Sequence, residues 1–161
     1  MAALTFSVNI QTLTLKPLSF HLVATSEERL EISRRLSLLS IENLEAQLSL
    51  QRGKYLSLLG IISADVTQQC VRTLVPLPQH LDIDVDELFF PSLPQEKKEI
   101  NLEEEELIEP LLGNILDVGE IVIQLLSLNL APYPVVPESS PIEYHEENSS
   151  SSPFEILKKK K

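Results

Sequence analysis

Three groups of residues along this sequence have side chains that could do chemistry. The first is Cys70, the only cysteine, in "DVTQQCVRTLVPLP" at residues 65 to 78. A nucleophilic thiol needs a base nearby and a cationic or helix-end setting that lowers its pKa. Arg72 is the one cation beside Cys70, and no base accompanies it. A zinc site needs about four Cys, His or carboxylate ligands at suitable spacing. His80 lies ten residues on, His21 and His145 are elsewhere, and no second thiol exists. The residue types around Cys70 therefore favour a small packed side chain over a metal ligand or a reactive thiol.

The second group is acidic. "HLDIDVDEL" carries Asp82, Asp84 and Asp86 at alternate positions, and "EEEE" occupies residues 103 to 106. Calcium, or the metal of a nuclease, would need these carboxylates to converge on one point. On a strand they project from one face at about 7 Å intervals, too straight to wrap an ion. The glutamate run lacks the glycine turn of a calcium loop and reads as a solvated or partner-seeking segment. Four glycines in all leave no phosphate-cradling loop, and no Ser–His–Asp set is present. The expectation is a protein without catalytic residues, cofactor, metal or small-molecule substrate.

The third group ends the chain. "PFEILKKKK" sets Phe154 and the Ile156–Leu157 pair beside Lys158, Lys159, Lys160 and Lys161. An apolar anchor next to a cation cluster suits a phosphate-rich surface such as RNA. The plainer alternative is a solvated lysine tail, because like-charge runs at termini are often disordered.

The chain that must position these groups has 161 residues, enough for one domain with a real core. Hydrophobic residues make up 43% and aromatics 5%, with no Trp, so Leu, Ile and Val must build that core. No apolar run reaches the roughly 20 residues that cross a bilayer. The first fifteen residues lack the pattern of a secretory signal. A single cysteine forms no internal disulfide and fits a reducing compartment, so a soluble cytoplasmic protein without membrane contact is expected. The net charge of −11 is uneven: residues 96 to 109 hold seven Glu against two Lys. Apart from the terminal lysines there is no basic patch of the kind that drives nucleic-acid binding by counterion release.

Periodicity supplies the elements. In "TFSVNI", Phe6, Val8 and Ile10 alternate with polar residues as in a half-buried strand, and "SFHLVA" is a weaker second one. Thr25 and Glu28 have capping-box spacing and predict a helix to about Leu39, with Ile32, Leu36 and Leu39 on its buried face. "NLEAQLSLQR" places Leu44, Ala46, Leu48 and Leu50 on one side. Gly53 marks a turn, and residues 54 to 71 return as the other half of a hairpin with Ile62, Ala64 and Val66 inward. Gly60 predicts a bulge or sharp bend there. Leu81, Ile83 and Val85 give a further strand. Asp117 and Glu120 repeat the capping-box spacing before "VGEIVIQLLSLNL", a helix apolar on nearly all sides, which "APYPVVP" stops. The sum is one α+β domain over residues 1–137. It is a bent antiparallel sheet of about five strands packed with two helices, with a mobile acidic loop at about 91–113. A flexible Ser/Glu-rich tail covers 138–161.

In their order, "ADVTQQCVRTLVP", the alternating acidic strand, the acidic loop, "LDVGEIVIQLLSLNLAPYPVVP" and "SSPFEILKKKK" resemble the bacterial YceD family. Its members are the large ribosomal RNA subunit accumulation proteins. The resemblance extends over nearly the whole chain, and the composition suits an alphaproteobacterial branch. Many relatives carry Cys-x-x-Cys where this chain reads "CVRT": Cys70 matches the first thiol and Thr73 stands in place of the second. Pro132, Tyr133 and Pro134, and the Phe-to-Lys ending, match as they stand. The resemblance implies a non-enzymatic ribosome biogenesis factor needed for 23S rRNA to accumulate. Its partners would be 23S rRNA or its precursor and a basic large-subunit ribosomal protein. The missing thiol argues against any paired-cysteine chemistry here.

Overall fold

The computed structural model describes residues 4–91, 109–111 and 113–138. Most of the expected acidic loop (92–108 and 112) and nearly all of the expected tail (139–161) lie outside the described residues. So do Phe154 and Lys158 to Lys161.

The elements run β1 (Ser7–Asn9), a 3-10 turn (Ile10–Thr12), β2 (Leu18–Val23), α1 (Ser26–Arg35) and β3 (Ser40–Arg52). Then follow β4 (Leu56–Gln69), β5 (Pro76–Pro91), β6 (Glu109–Leu111), β7 (Ile115–Asp117) and α2 (Val118–Asn129). The class is α+β, as the periodicities predict. The main sheet has the order β2-β3-β4-β5-β6. β2 to β5 form an antiparallel meander, and β6 pairs in parallel with the end of β5, Phe89 opposite Glu109. Three residues of the expected acidic loop are thus an edge strand. β1 leaves this sheet altogether and pairs with β7 in a two-stranded ladder of its own.

One face of the main sheet is the core. Leu44, Ala46, Leu48 and Leu50 from β3 are buried there with Leu58, Ile62, Ala64 and Val66 from β4 and Ile83, Val85 and Phe89 from β5. The alternation in each strand puts these side chains on one side, and burying them together removes the largest apolar area from water. Ile32 of α1 and Val122, Ile123 and Leu126 of α2 complete the cluster.

Several local details differ from the sequence expectation. α1 stops at Arg35, four residues early, because Ser37 turns left-handed (φ 56°). Ser37 N–H then bonds the Arg34 carbonyl and Leu38 N–H the Ser33 carbonyl, a Schellman ending. The turn carries Leu38 into the core and leaves Leu39 exposed. Gly60 makes no bulge: Leu48, Gly60 and Val85 stay in register across three strands. Glycine is needed there for another reason. A Cβ at Gly60 would sit 2.0 Å from the Gln47 carbonyl oxygen, and its φ is +152°. The register shift of this ladder falls instead between Ile41 and Asn43. α2 is capped by Asp117, whose carboxylate accepts the Glu120 N–H at 3.0 Å. Glu120 does not reach back to complete the box. Its carboxylate holds the Arg35 guanidinium at 2.5 and 2.8 Å and so ties α2 to α1. The capping box at Thr25 and Glu28 forms in full. α2 also keeps one wet side, with Leu128 79% exposed.

Candidate functional site

Two places collect the residues that the sequence singles out: the corner between β4 and β5, and the outward face of the main sheet.

At the corner, β4 continues its inward parity past Val66 to Gln68 and Cys70, and both are buried. The chain then reverses through Val71 to Val75. Leu74 adopts a left-handed φ of 61°, Leu74 N–H bonds the Cys70 carbonyl, and Cys70 N–H bonds the Val75 carbonyl. The segment after α2 closes over this turn, because prolines 132, 134 and 137 cannot extend the helix and leave its backbone groups to pair elsewhere. Gln68 Nε2 donates to the Ala131 carbonyl at 3.0 Å, Val71 N–H to the Pro134 carbonyl at 2.9 Å, and Val136 N–H to Cys70 Sγ at 3.4 Å. Gln68 Oε1 has no partner among the described residues.

Cys70 is therefore the middle of a clasp. Its sulfur is 0% exposed and also accepts the Thr73 N–H at 3.5 Å. A hydrogen bond from the Thr73 side chain, then the Val136 N–H, favour the thiolate and lower the Cys70 pKa to about 6, with burial opposing them. Thr73 remains against the sulfur but supplies donors, where a second cysteine would supply a second thiol. Among the described residues the enclosed sulfur joins its own turn to the segment after α2. Of the other family-motif positions, Pro134 is buried, while Pro132 and Tyr133 are exposed. Sequence reasoning missed Gln68 and Val136. The signal for Gln68 was the unbroken alternation from Ile62 onward; for Val136 none existed, since its partner is 66 positions away.

The outward face is a grid fixed by register. Its transverse rows are Asn43–Asp65–His80, Val23–Glu45–Ser63–Asp82, His21–Gln47–Ile61–Asp84 and Ser19–Ser49–Leu59–Asp86. None of these residues is Lys or Arg. Asp82, Asp84 and Asp86 stand in one straight, exposed row on β5, as the alternation predicts. His80 bridges Asp65 (2.6 Å) and Asp82 (3.2 Å), and its pKa is raised, first by the Asp65 hydrogen bond and then by the charge of Asp82. His21 meets Glu45 at 3.2 Å. Asp84 and Asp86 meet no partner among the described residues. No cluster of three or more His, Cys, Asp or Glu that could hold a metal occurs among the described residues. Leu59 and Ile61 stand 43% and 41% exposed between β3 and the acidic row, beside an open trough of about 550 Å³ over Gly60.

A four-strand meander with one helix-covered face, one acidic face and a buried corner clasp defines a scaffold of the α+β class. Comparison with family models gives the class a name. The model of the large ribosomal RNA subunit accumulation protein YceD matches residues 58–159, and the chain belongs to that family. The match begins inside β4 and takes in β5, α2, the whole clasp and the tail as far as Lys159. Membership gives the protein a role in the accumulation of large-subunit ribosomal RNA. No curated protein and no solved structure matches the chain. Among the described residues no helix is long and apolar enough to cross a membrane.

Proposed function

We propose that the protein promotes 23S rRNA accumulation by holding ribosomal components during large-subunit assembly, without catalysing a reaction on them. The family match over residues 58–159 carries this reading. The site geometry supports it: the one thiol is enclosed, and the carboxylates form a straight row that does not converge on a point. In this mechanism the terminal lysines Lys158 to Lys161, with Phe154 beside them, contact 23S rRNA or its precursor in the cytoplasm. The acidic sheet face keeps the body of the protein off phosphate and is open to a basic large-subunit protein.

Deleting the gene should lower 23S rRNA relative to 16S, and the tagged protein should recover precursor large-subunit particles. Normal 23S levels together with empty pull-downs would sink the proposal. A second reading, an acidic adaptor that binds a basic ribosomal protein and never touches RNA, follows from the lack of any Lys or Arg on the outward grid. Salt titration separates the two. Removing Lys158 to Lys161 should reduce the log–log salt slope of RNA binding by about 3 if all four meet phosphates. An adaptor would bind its protein partner unchanged after that deletion.

A further inference from the structure

The outward sheet face and the C-terminal segment have matching chemistry within one chain. On the face, Leu59, Ile61 and Val23 are exposed apolar side chains that the fold leaves uncovered. They stand among Glu45, Asp82, Asp84 and Asp86, and the only groups on the grid that could become cationic, His21 and His80, already face carboxylates. At the end of the chain, "PFEILKKKK" lines up Phe154, Ile156 and Leu157 before four consecutive lysines, the densest cation run in a chain of net charge −11. We propose that residues 153–161 dock on the outward face of β2 to β5 of their own chain. In that pose Phe154, Ile156 and Leu157 cover Leu59 and Ile61, and the lysines lie along Asp82, Asp84 and Asp86.

The reach is sufficient. The described chain ends beside the Cys70 corner, where Val136 is bonded to Cys70. Leu59 lies 11 residues back along β4, roughly 36 Å from that corner. The 16 Cα–Cα steps from Glu138 to Phe154 span up to about 55 Å when extended. A tether of that length holds the lysines at an effective concentration on the order of millimolar, so modest contacts suffice to populate the docked state. The acidic run at residues 96 to 109 is the competing target for the lysines. The sheet face presents carboxylates already fixed by strand register next to exposed Leu59 and Ile61, which lowers the ordering cost of docking there. Docking keeps the four lysines off other surfaces until a stronger polyanion displaces them. That release step rests on the ribosomal reading above; the docking itself does not.

The test uses the purified full-length protein alone, so it can fail while the ribosomal role stands. A zero-length carbodiimide should couple Lys158 to Lys161 to Asp82, Asp84, Asp86 or Glu45 within single chains, as read by peptide mass spectrometry. The yield should drop several-fold on going from low salt to about 0.3 M as the charges are screened. Trypsin should remove the terminal lysines at least three-fold faster in Leu59→Ser/Ile61→Ser and in Asp84→Asn/Asp86→Asn. These are surface variants whose unfolding midpoints should match the parent's. Coupling only to glutamates at 96 to 109, coupling only between chains, or unchanged trypsin rates in both variants would each overturn the proposal.

Discussion

The two faces of β4 are built from the same kinds of residue and behave oppositely. Inward, Leu58, Ile62, Ala64 and Val66 are sealed under the helices; outward, Leu59 and Ile61 stand nearly half exposed among carboxylates. Alternation decides which side chains share a face. It does not decide which face α1 and α2 will cover. That choice follows from the whole sheet: the inward set continues as apolar side chains across β3, β4 and β5, while the outward set is interrupted by acids in β3 and β5. Packing α1 and α2 against the outward face would strip water from Asp82, Asp84 and Asp86, which have no Lys or Arg beside them on the sheet, a desolvation cost that opposes the gain from Leu59 and Ile61.

The contrast can be broken most severely at Gly60 of β4, between "LSLL" and "IISADV". Gly60→Ala forces a Cβ against the Gln47 carbonyl at a φ unfavourable to L-residues. Destabilisation should be about 4 kcal/mol in urea unfolding, with the β3–β4 ladder losing hydrogen-exchange protection. The comparison itself is measured by adjacent residues. Ile62→Ala should cost about 3 kcal/mol and Ile61→Ala less than about 0.5 kcal/mol. Equal effects would mean that the outward face is packed as tightly as the core.

The clasp should show an intermediate effect. Cys70→Ala leaves the Val136 and Thr73 N–H groups without their sulfur acceptor, at a cost of about 2 kcal/mol. It should also change the pH dependence. The folded thiol titrates near 6, below an unfolded value of about 8.5, so its contribution is complete above the unfolded value and is lost as pH falls through 6. Parent stability relative to Cys70→Ala should therefore rise from pH 6 to pH 8.5, and a flat difference would show that no thiolate forms. The smallest effect belongs to the cap of α1. Thr25→Ala should cost about 1 kcal/mol. Glu28, hydrogen-bonded first of all by the Thr25 backbone N–H, has a lowered pKa, so the stability it adds is present above the unfolded carboxylate value and lost as pH falls through the folded one.

Much of the fold was legible because its signals are local. The inward faces of β3 and β4, the hairpin between them, the cap at Thr25 and the straight acidic row on β5 all follow from period-two alternation and side chains that bond within three or four residues. What was misread depended on distant partners. Glu120 has the spacing of a capping box, yet Arg35, 85 positions away, takes its carboxylate. Gly60 looks like a bulge along its own strand, and the Gln47 carbonyl on the neighbouring strand is what forbids a side chain.

The sequence by itself determined the class of fold and the charge of the protein, since each depends on residue type and short-range period. Only the tertiary structure decided that Cys70 is the centre of a clasp closing over β4. The donors that hold its sulfur come from its own turn and from a segment 66 residues downstream, which only folding brings to it. It also decided which apolar residues stay wet, because burial depends on what packs against a face and on the water its charged neighbours require.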